Sequence, residues 1–216
     1  NILIHAGSGA VGMACIHICL AKGINVFTTC SEHKKDFLIE HFGLNNSQIG
    51  NSRTLNFKKW ILSETNYKGV DLVINSLSDK FQIESLKCVK EYGNFCEIGK
   101  YDIIKGSKLN QLLFEKNISF HVIDLLPIIK NKKFHYIFHD FLYNGFKNNE
   151  IKPLPITEFP TCKIIDAFRF MSQGKHIGKI LINFNNSFKP DEIKSNYTTE
   201  ENHLISLNEY SREMNL

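Results

Sequence analysis

Apolar residues in this chain fall into short continuous runs, separated by longer stretches in which they recur every three or four positions. The runs at 2–6, 24–30, 71–76, 94–98 and 118–124 have the length and apolar content of parallel strands buried on both faces. A weaker run lies at 49–52. The stretches between them, 11–22, 32–42, 57–65, 81–89 and 109–116, are amphipathic and of helical length. Strand–helix alternation with short links predicts an α/β fold, a doubly wound parallel sheet of the Rossmann type with right-handed crossovers.

The rhythm changes near Pro127. One long aromatic-rich helix is expected over 128–146, then a strand-like run at 154–159 set among Pro153, Pro155 and Pro160. A helix at 163–172 and a last strand at 179–184 follow. The prolines confine 154–159 to an edge or a link. From 189 onward the chain is polar, rich in Asn and Glu, and reads as a linker with weak helical potential near its end. No internal repeat is visible.

The link between the first run and the first helix is Gly7-Ser8-Gly9-Ala10-Val11-Gly12, a G-x-G-x-x-G loop standing after a strand and opening a helix. Gly7 allows the tight turn, Gly9 lets the backbone approach a pyrophosphate, and Gly12 permits close helix-on-strand packing. The helix N-terminus offers free N–H groups and a positive dipole end. A glycine turn without a ligand is the alternative, disfavoured by that placement. The second run ends at Cys30-Ser31, with no acid at its tip. Glu32 lies twenty residues past Gly12 and keeps an NAD reading open. Ser31 reads as an N-cap, however, which puts Glu32 in a first helical turn, where acids are favoured by the dipole alone. An uncharged strand end followed by Lys34 and Lys35 suits the 2′-phosphate of NADPH better than a 2′-hydroxyl.

In open parallel sheets ligands sit outside the carboxyl ends of the strands. Lys100 follows the 94–98 run and Asp124 closes the 118–124 run, so both are catalytic candidates. Asn75 and Ser76 close the 71–76 run, in position to meet a nicotinamide, whereas Asp71 opens it and reads as structural. His5 and His17 are expected to be packed, and Trp60 to serve a core or an interface. His135 and His139 are four apart on a helix without a third ligand. The six cysteines form no C-x-x-C pair, so no metal site is expected; placed inside apolar elements, they read as thiols of a reducing, cytoplasmic compartment. The net charge of +4 comes with scattered lysines, which argues against nucleic acid. No apolar run approaches the roughly 20 residues that span a bilayer, so no membrane partner is expected.

Taken together, the stretches LIHAGSGAVG, VFTTCSEHKKDFL, NSR at 51–53, GVDLVINSL, FCEIGKYDI, NISFHVIDLL and AFRFMSQGKHIGKILINF carry a resemblance. The chain resembles the enoyl reductase of type I polyketide synthases and animal-type fatty acid synthases, within the medium-chain dehydrogenase/reductase superfamily. The resemblance implies NADPH-dependent reduction of a trans-2-enoyl thioester carried on an acyl carrier protein, with hydride going to the β-carbon before the α-carbon is protonated. It matches Lys100 to the lysine of the EIGK motif and Asp124 to an aspartate of polyketide synthase reductases, both proposed in the family to assist protonation or polarise the thioester. The animal fatty acid synthase aspartate falls where this chain has Leu126, which leans the comparison toward a polyketide synthase. Lys34 matches the 2′-phosphate contact.

Thr54 departs from the acid that follows NSR in many relatives. The family's N-terminal GroES-like substrate lobe, which in some members supplies a tyrosine proton donor, is also missing ahead of the loop. The chain is therefore expected to be a piece of a multidomain synthase whose other domains are its partners; a homodimeric parent stays open. It divides into an NADPH-binding Rossmann domain at 1–150, a return segment of the incomplete substrate lobe at 151–188 and a polar tail at 189–216. A free-standing NADPH quinone or alkenal reductase and a non-catalytic NADPH-binding module are the alternatives.

Overall fold

Strand burial sets the order of the sheet. β1 (Ile2–Ile4) and β2 (Val26–Cys30) are buried at every position, and both lie inside a six-stranded parallel sheet ordered β3-β2-β1-β4-β5-β6. The other strands are β3 (Ile49–Asn51), β4 (Val70–Asn75), β5 (Val89–Glu97) and β6 (Ser119–Val122). The structure, a computed structural model, describes residues 1–184.

Alternation along each strand divides the core between two faces. Leu3, Phe27, Val73 and Phe95 pack with Phe57 and Ile61 of α3 (Phe57–Glu64) and Leu86 of α4 (Lys80–Leu86). Ile2, Ile4, Val26 and Cys30 pack on the other side with Ile16 and Cys19 of α1 (Ala10–Ala21) and Leu38 of α2 (Lys35–Phe42). The doubly wound parallel sheet is thus present as the sequence predicts.

Several elements differ from the periodicity reading. The 32–42 helix is a 3-10 turn at Glu32–Lys34 that leads into α2. β5 begins at Val89 rather than at 94, and α4 stops at Leu86. The ladder shifts register between Val70↔Val89 and Leu72↔Asn94, with Tyr92 at φ 58°, and that irregularity hides the strand's first half from a period-2 pattern. α5 (Tyr101–Lys105) is an additional helix. The 109–116 stretch makes only a 3-10 turn at Gln111–Phe114, where the Asn110 side chain accepts the Leu112 N–H at 3.0 Å. The expected long helix is split into α6 (Leu125–Lys130) and α7 (Lys132–Lys147). Asn131 divides them, because its side chain caps the second helix by accepting the Lys133 N–H at 3.0 Å. β6 is mostly exposed rather than buried, being the terminal strand of the sheet, with one partner strand among the described residues.

After α7, β7 (Ile156–Pro160) and β8 (Lys179–Asn183) pair in parallel as a separate two-stranded sheet, joined by the crossover helix α8 (Ile164–Ser172). The last strand therefore finds a partner within the chain. The polar-tail expectation lies outside the described residues. No helix among the described residues is long and apolar enough to cross a membrane.

His5 locks three elements together just past β1. Its Nδ1 lies 3.0 Å from Thr29 Oγ1 of β2, and its Nε2 lies 2.8 Å from Ser85 Oγ of α4. The Ser85 hydroxyl donates to the Phe81 carbonyl at 2.7 Å, so it is left to accept the His5 Nε2–H, while Nδ1 accepts from Thr29. Complete burial drives the imidazole pKa down from 6.5 to about 3. Because the folded pKa is depressed, the stabilisation is present above the unfolded value of 6.5 and is lost as pH falls through about 3. The thermal midpoint should therefore drop more between roughly pH 7.5 and pH 5 in the wild-type chain than in His5→Gln. Equal drops in the two proteins would remove His5 as the source.

Candidate active site at the carboxyl edge of the sheet

The glycine loop lies where strand order reverses between β1 and β4, since α1 leaves β1 toward one face and α4 leaves β4 toward the other. Gly7 donates its N–H to the Thr29 carbonyl and Gly9 to the Ala6 carbonyl, each at 2.9 Å. A Cβ on Gly7 would sit 2.0 Å from Thr28 Oγ1, and one on Gly12 would sit 2.4 Å from the Ala6 carbonyl, so packing alone excludes side chains there. At Gly9 a Cβ would meet only the Ala6 oxygen, at 3.2 Å. Gly9 is also the N-cap of α1; it offers no side-chain cap, and no acid occupies the first turn. The positive end of the helix is therefore left for a bound anion. Ser8 is buried, Ala10 half-buried and Val11 exposed. This backbone cradle fits a dinucleotide pyrophosphate.

Lys34 stands beyond the end of β2, and most of its side chain is covered. Its ammonium donates to the carbonyls of Gly174 at 2.6 Å and His176 at 2.7 Å. One ammonium hydrogen of the three stays uncommitted by these bonds. Burial lowers the Lys34 pKa, and the nearby Arg53 charge lowers it further. Arg53 is carried to that place by the Ser52 N–H, which donates to the Cys30 carbonyl at 2.8 Å at the tip of β2. The segment that Lys34 holds is also stitched to the loop. Gly178 donates its N–H to the Ser8 carbonyl at 3.2 Å and bridges Gly9 in parallel. Glu32 is exposed in the first turn after Ser31, which caps by position without a side-chain bond.

At the end of β4 the two candidates separate. Asn75 is fully buried, and its amide donates to the Leu77 carbonyl at 2.7 Å and to Glu97 Oε2 at 2.6 Å. Its oxygen accepts the Leu77 N–H at 3.3 Å. The Asn75 side chain is thus spent inside the protein, and Ser76 is the exposed residue at this strand end.

Lys100 and Asp124 meet beyond β5 and β6, with Nζ donating to Oδ1 at 2.8 Å. The same Asp124 oxygen accepts the Leu126 N–H at 3.1 Å, which caps α6. The Lys100 hydrogen bond, then that N–H, hold the Asp124 carboxyl below its ordinary range. Both side chains are about half exposed (51% and 41%), and exposed ion pairs contribute little to stability. The placement of this pair therefore needs a reason other than stability.

Two features of this edge escape sequence reasoning. One is Glu97, inside the EIGK motif, whose burial is unreadable from a strand pattern that shows an acid between apolar neighbours. The other is the Gly174–Gly178 segment, 140 residues beyond Lys34, whose position depends on tertiary contacts alone. Of the remaining candidates, Asp71 pairs with Lys90, His17 packs on His41 and Phe42, and Trp60 packs edge-on against Phe27. His135 and His139 are exposed on α7.

A family profile described as zinc-binding dehydrogenase matches residues 45–182. Polyketide synthase 37 of Dictyostelium discoideum is 41% identical over 86% of this chain, and the highly reducing polyketide synthase poxF of Penicillium oxalicum is 39% identical over 84%. The chain spans only 6% and 7% of those two proteins. Among solved structures, the CurK enoyl reductase superposes with a TM-score of 0.74 at 34% identity, covering 84% of this chain and 54% of that one. The CurF ER cyclopropanase gives 0.75 at 30% identity, with the same coverage of both chains. The nucleotide-binding subdomain of the PpsC enoylreductase domain from Mycobacterium tuberculosis gives 0.62 at 27%, covering 70% of this chain and 84% of that one.

The profile's description names zinc, and the described residues do not fit it: they contain no group of three or more His, Cys, Asp or Glu able to hold a metal ion. Burial pushes the Cys15 and Cys30 thiols up to about 11 and Cys88 to about 12, away from the thiolate that zinc requires.

The Lys34 contacts generate a prediction of their own. Replacing Lys34 with Ala should speed amide exchange at Gly178 by about tenfold in hydrogen–deuterium exchange. Unchanged protection would mean that the segment is held by its backbone bridge alone.

Proposed function

We propose, from the premise that the chain belongs to the zinc-binding dehydrogenase family, that it is the cofactor-binding part of an NADPH-dependent enoyl reductase within a polyketide synthase. Residues 1–150 form the cofactor domain, and 151–188 form the return segment of a substrate lobe contributed by other parts of the polypeptide. Its partners are the neighbouring domains of the synthase and an enoyl thioester on an acyl carrier protein, in the cytoplasm.

The observation that carries this reading is the Lys100–Asp124 pair, exposed at the same sheet edge as the glycine loop. NADPH, when bound, supplies the hydride for the β-carbon of the enoyl group. The backbone of Gly7 to Gly12 and the first turn of α1 would hold its pyrophosphate. Lys34 and Arg53 would meet the 2′-phosphate, one through its uncommitted ammonium hydrogen and the other from the tip of β3. Ser76 would face the nicotinamide side of the crevice, with Asn75 bracing the loop behind it.

Hydride addition builds negative charge on the thioester oxygen. The Lys100 ammonium would stabilise that enolate more than the neutral substrate, which lowers the barrier rather than tightening ground-state binding. The Asp124 carboxyl, held below its ordinary range by the Lys100 hydrogen bond and the Leu126 N–H, aims the Lys100 side chain. Lys100 could then pass a proton toward the α-carbon. The relatives' printed names support a polyketide setting over a free-standing quinone or alkenal reductase. Because the CurF relative is called a cyclopropanase, the fold serves two outcomes and the product must be identified.

Two measurements test the reading. In fluorescence titrations, wild type should bind NADPH more tightly than NADH, and Lys34→Ala should lose about tenfold in NADPH affinity with little change for NADH. Equal affinity of wild type for the two cofactors would overturn the NADPH assignment. In the full-length protein, Lys100→Ala should lower the rate of saturation of a crotonyl thioester by about 10²-fold. No saturated butyryl thioester from wild type, or turnover of Lys100→Ala equal to wild type, would overturn the reductase mechanism.

A further inference from the structure

Glu97 is the last residue of β5 and is buried to 1% exposure. Its Oε2 accepts from Asn75 Nδ2 at 2.6 Å and Gln82 Nε2 at 2.7 Å, and its Oε1 accepts the Gly99 N–H at 2.6 Å. All three partners are neutral donors. Desolvation pushes the carboxyl pKa up, while these three hydrogen bonds pull against it. A carboxylate removed from water in this way is costly compared with an amide or an apolar side chain. Three donors aimed at two oxygens suit a group that acts as an acceptor.

The bonds Glu97 makes lead to both members of the reactive pair. Its side chain grips the N–H of Gly99, the residue immediately before Lys100. Its backbone carbonyl accepts the N–H of Ile123, the residue immediately before Asp124, at 2.9 Å. Asn75, held by the same carboxylate, gives its own carbonyl to the Ile98 N–H at 2.9 Å. The turn from Ile98 to Lys100 is therefore tied at successive residues to one buried network. Lys100 itself is exposed and has a long, flexible side chain. Its direction is set by where the turn begins and by Asp124.

We propose that Glu97 is a positioning residue for the reduction, holding the Lys100 turn and the Asp124 strand end in one frame so that the ammonium meets the thioester oxygen. This rests on the role given to Lys100 above. A glutamine at this place has one acceptor oxygen where three donors converge, so it cannot keep all the bonds to Asn75, Gln82 and Gly99. The network is also reachable from the loop side. Gly99 does not have positive φ, and a Cβ there would lie 2.8 Å from Glu97 Oε1. Gly99→Ala thus disturbs the tether while leaving the buried carboxylate in place.

The experiment is a double-mutant cycle in the full-length protein, with a crotonyl thioester as substrate and NADPH as reductant. Glu97→Gln and Gly99→Ala are each made alone and with Lys100→Ala. The expected result for Glu97→Gln is a kcat lower by about tenfold, with KM for NADPH within about twofold of wild type. Gly99→Ala should follow the same pattern more mildly. Neither change should slow the Lys100→Ala enzyme further, because the tether acts only through that lysine.

Wild-type kcat in both single variants would overturn the proposal. So would a loss of the same size with and without Lys100, which is the mark of a general structural defect. If Glu97→Gln fails to fold, by thermal melting and loss of NADPH binding, Gly99→Ala decides alone by the same criteria. Wild-type turnover in Lys100→Ala itself would locate the failure in the role of the lysine, and the positioning role would fall with it.

Discussion

The register of β1 between β2 and β4 is the constraint on which the reactive edge depends. Ile2 faces Val26 on one side and Leu72 on the other, and Ile4 faces Thr28 and Ile74. Burial of β1 on both faces leaves no tolerance for a slip, since moving by one residue would exchange the side chains of the two core layers. With this register fixed, the glycine loop begins level with the end of β4. The chain needs no further device to bring the glycine turn beside Ser76. Lys34, Ser76, Lys100 and Asp124 then follow from strand order along one edge.

Polar groups at that edge are treated in two opposite ways. Glu97 and Asp102 are taken out of water and solvated by protein donors, with Asp102 accepting from the Asp79 N–H and the Ser107 hydroxyl at 2.8 and 2.7 Å. Lys100 and Asp124, on the same loops, stay in contact with solvent. Rigidity is thus placed in the supporting layer and charge that can move in the outer one. Buried carboxyl groups held by several donors make directional anchors, whereas an exposed pair is free to exchange partners.

Much of this arrangement is legible in the amino-acid sequence, for physical reasons. Short continuous apolar runs favour strands covered on both faces, and the placement of Gly7, Gly9 and Gly12 after such a run marks the switch point. Lys100 and Asp124 are visible because charge at a strand end breaks an apolar pattern. What stays hidden depends on tertiary partners. The first half of β5 is concealed by its register shift, and the division between α6 and α7 turns on the single cap at Asn131. The amide of Asn75 looks available in sequence but is consumed by Leu77 and Glu97. Lys34 reads as an open cation until the carbonyls of Gly174 and His176 arrive from the far end of the described chain. β6 has the apolar content of an interior strand but not the neighbours of one.

The pairing of β1 with β4 also imposes an order in time. Ile2 waits for Leu72, a partner 70 residues later in synthesis. At the usual elongation rate of about 5–20 residues per second, the edge of β1 that β4 will cover stays unpaired for roughly 4–14 s after it is made. β2 arrives sooner and can shield only the other edge. The strand that anchors the finished sheet therefore keeps an edge waiting for its partner longer than any other described strand while the chain is being made. A ribosome that slows between Val26 and Val70 would lengthen that exposure, so synonymous changes there can affect yield without altering a single contact of the folded protein.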